Sequence, residues 1–113
     1  MKKIEAFIKP YQLNSVKDAL LEKGITGMTI HEVRGFGTQQ GHHEVINGTE
    51  YRVDFLPKVM IVIVIEDNLQ DEVVQVIIDK CSTGNIGDGK IIITTIDKII
   101  RIRTKEEGVE AIR

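Results

Sequence analysis

Apolar and polar residues alternate through the first nine positions, with Ile4, Ala6 and Ile8 on one side and Lys3, Glu5 and Lys9 on the other. A period of two is the mark of a strand with one buried face, so Met1–Lys9 predicts a strand that Pro10 ends. From there the period changes. Leu13, Val16, Leu20 and Leu21 make a helical stripe, with Asn14 or Ser15 as the expected cap and Gly24 as the expected stop. Ile25–Val33 predicts a second strand, with Met28, Ile30 and Val33 as its buried positions. Arg34–Leu56 breaks the pattern: it carries Gly35, Gly37, Gly41 and Gly48, many polar residues and no sustained period of either kind. A loop of about twenty residues inside so small a domain is uncommon and usually functional. The run KVMIVIVIE at 58–66 predicts a buried strand, and Leu69–Lys80 a second helix with Leu69, Val73, Val76 and Ile77 inward. A glycine-rich loop from Ser82 to Lys90 leads to a strand at Ile91–Thr95 and a last short strand at Lys98–Arg103. The charged tail, Thr104–Arg113, is expected to pack only loosely. This order predicts an α+β chain: one ferredoxin-like domain over residues 1–113, a double βαβ sandwich interrupted by a long loop.

Composition narrows the function classes. Fifteen basic residues against seventeen acidic ones lack the cationic footprint of a nucleic-acid binder. The single cysteine, Cys81, forms no intrachain disulfide and suits a reducing compartment. Neither a secretory leader nor a membrane-spanning run is legible, so the expected location is cytoplasmic.

Two features point to phosphate. The loop 82–90 reads STGNIGDGK and matches the first seven positions of a P-loop from Gly84. It is not one, because Ile91 stands where a magnesium-binding hydroxyl belongs and a helix precedes the loop instead of following it. Its physics is still that of an anion site: glycines at 87 and 89 let backbone N–H groups converge, and Lys90 adds a charge. Arg101 and Arg103, two apart on the expected final strand, would share a face and fork around an anion.

With these residues in place, the chain resembles the PII nitrogen-regulatory signal proteins over nearly its whole length. The segments MKKIEAFIKP, GITGMTIHEVRGFG, EYRVDFLPKV, TGNIGDGKI and IRIRTKEEG carry the resemblance, in order. It implies a homotrimer with ATP or ADP in clefts between neighbours. Gly87, Asp88, Gly89, Lys90, Arg101 and Arg103 would hold the phosphates, while Thr29, Gly35, Phe36, Gly37, Thr38 and Val64 would line the nucleoside part. It further implies 2-oxoglutarate sensing through a magnesium ion bound to ATP. Gln39 would ligate the ion, and Lys58, with Gly87, would bind the acid. The loop at about 37–56 would be the T-loop that docks on partners: an ammonium transporter, glutamine synthetase or its regulatory enzymes, or a nitrogen sensor kinase. A membrane would be met only through such a transporter. Tyr51 matches a uridylylated tyrosine, although Ile46–Glu50 departs from the usual context and Thr38 replaces a common arginine.

Other residues read more plainly. His31, His42 and His43 lack a supporting carboxylate or thiol cluster and are not expected to bind metal. Cys81 reads as a packed thiol, and Glu66–Asp67 as acids suited to a helix start. A nucleotide-hydrolysing enzyme would need a general base that the sequence does not offer. An RNA-binding ferredoxin-like module would need stacking aromatics on its central strands, which here carry almost none. The expected function is regulation, not catalysis.

Overall fold

A computed structural model describes residues 1–36, 42–53 and 55–113, and for residues 42–46 and 49–53 the backbone alone. Strand β1 (Lys2–Ile8) leads through a short 3₁₀ turn at Pro10–Gln12 into helix α1 (Leu13–Glu22). Then come β2 (Thr29–Gly35), β3 (His42–Ile46), β4 (Thr49–Val53), β5 (Leu56–Ile65), α2 (Gln70–Cys81), β6 (Lys90–Thr95) and a single helical turn, α3 (Val109–Ile112). Four strands form one antiparallel sheet in the order β2-β5-β1-β6. With α1 after β1 and α2 after β5, this is the ferredoxin-like fold that the sequence predicts.

The alternation of β1 and β5 decides which face is buried. Ile4, Ala6 and Ile8 join Val59, Ile61, Ile63 and Ile65 beneath Val16 and Leu20 of α1 and Val73 and Ile77 of α2, all in one core cluster. The register places Lys3, Glu5, Phe7, Met60, Val62, Val64 and Ile92 on the opposite face, away from the α1 and α2 residues of the core.

Local chemistry sets the ends of these elements. Gly24, at φ +84°, closes α1 as foreseen: its N–H donates to the Leu21 carbonyl, and that of Ile25 to Leu20. The expected cap fails, because α1 starts at Leu13, ahead of both candidate caps, directly from the proline turn and without a side-chain cap. Among the described residues Gln12 is polar yet buried, at 6% exposure. It accepts from the Lys9 N–H at 3.1 Å and donates to the Cys81 carbonyl at 3.1 Å, tying the end of β1 to the end of α2.

Four expectations need correction. Leu21 and Ile30, assigned to the core, are 45% and 41% exposed. Leu21 lies at the solvent edge of a stripe whose centre is Val16 and Leu20. Ile30 sits on β2, an edge strand, and Val33, an odd number of positions away, belongs to the other face. The long loop is not irregular throughout. Residues 42–53 contain a hairpin whose turn is Asn47–Gly48, both at positive φ (52° and 78°). The final strand is absent: Ile100 makes one isolated bridge to Glu107, and turns replace the ladder. Arg101 N–H donates to Glu106, Lys105 N–H to Arg101 and Gly108 N–H to Ile99, so the segment satisfies its own backbone. The tail accordingly folds back, with Arg113 Nη2 3.4 Å from Glu66 Oε1. No helix among the described residues is long and apolar enough to cross a membrane.

Candidate functional site

The glycine-rich loop between α2 and β6 is organised by one of its own carboxylates. Asp88 accepts from the N–H groups of Thr83 at 2.8 Å and Gly84 at 3.0 Å, and from the Thr83 hydroxyl. An internal anion thus fills the nest formed by the start of the loop, leaving the backbone from Gly87 onward for a ligand. These hydrogen bonds, led by the one from the Thr83 hydroxyl, hold the Asp88 carboxyl below its ordinary value of 3.8. A depressed folded-state value means that the loop staple is complete above the ordinary range and is lost only as pH falls through the lower, folded value. Amide resonances of Thr83 and Gly84 should therefore titrate with a midpoint below 3.8; a midpoint at or above it would remove Asp88 from this role.

Gly89 has a reason for being glycine that the sequence does not display. It sits at φ +100°, and a Cβ there would lie 1.8 Å from the Phe7 carbonyl oxygen of β1. The loop presses its backbone onto the sheet, and Lys90 begins β6 opposite Phe7.

Lys58 completes this end of the sheet. Its ammonium donates to the Gly87 carbonyl at 2.7 Å, and its Cγ lies 3.6 Å from where a Cβ on Gly35 would be. Burial and the neighbouring Lys9 charge push Lys58 below the usual lysine value, against the opposing pull of Asp88. Lys9 Nζ lies 3.8 Å from Asp88 Oδ1. Lys9 and Lys58 thus stand beside one carboxylate that is already engaged, and Lys90 follows it two residues along the chain. Phe36 and Phe55, both exposed, pair at a centroid distance of 5.8 Å beside Gly35 and Leu56, the last rung of the β2–β5 ladder.

At the other end of the sheet, a cavity of about 550 Å³ is lined by Thr29, Val64 and Arg101, with the 24–27 turn and the folded-back tail around them. Arg101 is held there by Glu106 Oε1 at 3.1 Å and by the Arg113 carbonyl. Arg103 lies in the adjoining turn, exposed. The fork expected of these arginines rested on a strand that does not form, so shared facing is not given by strand geometry.

The structure therefore divides the expected site residues into two groups. Gly35, Phe36, Lys58 and Gly87–Lys90 stand at one end of β5; Thr29, Val64, Arg101 and Arg103 stand at the other. From Lys58 to Val64 is six residues of strand, about 20 Å. Gly37, Thr38 and Gln39 lie outside the described residues, and Tyr51 is described only by its backbone, opposite Glu44. No group of three or more His, Cys, Asp or Glu among the described residues could hold a metal, while the side chains of His42 and His43 lie outside that description. Cys81 is a packed thiol as read, raised by burial and then by Asp88. Lys9 and Gln12 were not singled out by the sequence, since only the strand register brings Lys9 beside Lys58.

Comparison with known proteins identifies the family. A family model described as Nitrogen regulatory protein P-II matches residues 1–106. The Nitrogen regulatory protein P-II of Haemophilus influenzae is 54% identical over 112 residues, covering 99% of this chain and 100% of that protein. The protein of the same description from Azospirillum brasilense matches at 54% with the same coverage. Nitrogen regulatory protein P-II 1 of Escherichia coli K12 matches at 56%, again across 99% of this chain and all of its own length. Full-length identity of this order, on a fold and landmarks that agree, shows that the chain belongs to the nitrogen regulatory protein P-II family.

Proposed function

We propose that this chain, a nitrogen-regulatory protein by family, acts as a cytoplasmic homotrimer that binds ATP or ADP in clefts between its subunits. In this reading it reports 2-oxoglutarate through magnesium-bound ATP and regulates partners by docking its T-loop. One observation carries the proposal. The phosphate-binding candidates are anchored at opposite ends of β5, the loop at Lys58 and Arg101 beside Val64, positions about 20 Å apart along the strand, which favours a site completed by a second chain. The sheet face opposite the core also presents Phe7, Met60, Val62, Val64 and Ile92, an apolar surface suited to a second copy of the chain. A copy docked there would bring the loop end of one subunit to the arginine end of the next.

The described residues fit the proposed effectors by charge. Lys9, Lys58 and Lys90 offer cations to phosphates and to a dicarboxylate, and Asp88 is already committed to the loop. Magnesium would take its oxygens from Gln39 and from the ligands, in keeping with its habit of using few protein ligands. Bound there, it would neutralise phosphate charge and orient the acid. The T-loop would then meet an ammonium transporter, glutamine synthetase or its regulatory enzymes, or a nitrogen sensor kinase, with Tyr51 as the candidate for uridylylation.

Calorimetry of ATP binding with magnesium, with and without 2-oxoglutarate, tests this directly. Tighter ATP binding with the acid, and acid binding only with ATP, is the expected reciprocal result. ATP binding indifferent to the acid would discard the roles of Gln39 and Lys58, and absence of ATP binding would discard the proposal.

A further inference from the structure

The loop 82–89 leaves α2 and reaches β6 without joining either, and three of its glycines (84, 87 and 89) have positive φ. Its own carboxylate staples the first half: Asp88 reaches back only to Thr83 and Gly84. That staple fixes the shape of the turn but not its place on the sheet. Placement needs contacts to the body of the domain. Three stand out: the Gly89 backbone against Phe7, the Lys9–Asp88 ion pair at 3.8 Å, and the hydrogen bond from Lys58 Nζ to the Gly87 carbonyl at 2.7 Å. The ion pair is long and has no fixed direction. The Lys58 bond is short, charge-assisted, part-buried and spans 29 residues of sequence.

We propose that Lys58 is a positioning residue for the phosphate loop in the ligand-free protein: its ammonium holds the Gly87 carbonyl, and so aims the following Asp88–Lys90 backbone. This deepens the proposed function and rests on it for the purpose of the loop. Under that reading Lys58 has a second task, pairing with a carboxylate of the acid. An ammonium has three donors, so it can take that carboxylate while keeping the Gly87 carbonyl, and the effector acts on the nucleotide loop through one side chain. The neighbourhood favours this shared use. Lys58 is partly desolvated and faces Lys9 as well as Asp88, so an added carboxylate would relieve a repulsion between like charges.

The test reads the loop without any ligand. Backbone ¹⁵N relaxation of the ligand-free protein is compared among wild type, Lys58→Met, which keeps the apolar stem, and Lys58→Arg, which keeps a donor. Order parameters at Gly87–Gly89 should fall from about 0.85 to below about 0.6 in Lys58→Met, with β5 and α2 unchanged, and should return most of the way in Lys58→Arg. Unchanged order parameters at 87–89 overturn the proposal. An equal fall through β5 and α2 overturns it too, since Lys58 would then be a general stabiliser. Calorimetry of the wild type, run alongside, separates the two readings: a protein that binds no ATP defeats the proposed function, while the relaxation data still decide what Lys58 does to the loop.

Discussion

Gly89→Ala should destabilise the chain by about 3 kcal/mol or more and remove nucleotide binding with it. Two penalties coincide at this position. The backbone lies at φ +100°, which an L-residue adopts only with strain, and the new methyl carbon would lie 1.8 Å from the Phe7 carbonyl oxygen. That oxygen belongs to a strand paired on both sides, so it cannot retreat without opening the β1–β6 or β1–β5 ladder. Gly84→Ala supplies the comparison. Gly84 also has positive φ (+80°), but nothing lies within 4 Å of the added carbon, so strain alone applies at about 1 kcal/mol. Urea denaturation at fixed protein concentration separates them: the midpoint should fall by about 2 M for Gly89→Ala and by well under 1 M for Gly84→Ala. Equal midpoints would mean that the loop lifts freely off the sheet, and the account of its packing would be wrong.

The contrast also shows what a sequence can and cannot say about such a loop. A glycine beside a lysine reads as an anion site whichever physical need put it there. Gly24 was legible because a helix stripe ends just before it. Gly89 was not, because its neighbour Phe7 is remote in the chain and meets it only through the register of two strands. The same limit applies to Lys9, which reads as the polar side of a strand until the pairing sets it next to Lys58. The hairpin was within reach, however: Asn47–Gly48 between Glu-Val-Ile and Thr-Glu-Tyr is a strong two-residue turn signal, overshadowed by the glycines and polar residues around it. The final strand failed for a different reason. Lys98–Arg103 has suitable alternation, but the backbone groups of Ile99 and Arg101 find partners in Glu106, Lys105 and Gly108, and the positive φ of Lys105 and Gly108 turns the chain back. Residue types and order were therefore sufficient for the fold and for the list of candidate residues. They were insufficient for the division of that list between the two ends of a sheet.

That division makes its own prediction, and the expected effect is large. Lys90→Ala and Arg103→Ala should each weaken ATP binding by ten-fold or more, since each removes a charge from the phosphates. Neither residue is buried, so both variants should fold. Taken singly, these losses do not reveal whether the two charges come from one chain or two. Mixed oligomers do. When the variants are unfolded together in equal amounts and refolded, a site built within one chain always lacks one of its two charges, and binding stays low. A site built from the loop end of one copy and the arginine end of the next has a different outcome. Wherever an Arg103→Ala copy supplies Lys90 to a neighbour that carries Lys90→Ala, both charges are present. Random head-to-tail assembly restores about a quarter of the sites to wild-type affinity. Titration of the mixture should then show a tight phase of about that amplitude, absent from either variant alone. Without a tight phase, the shared cleft fails, and the two groups, anchored at opposite ends of β5, must be brought together within a single chain.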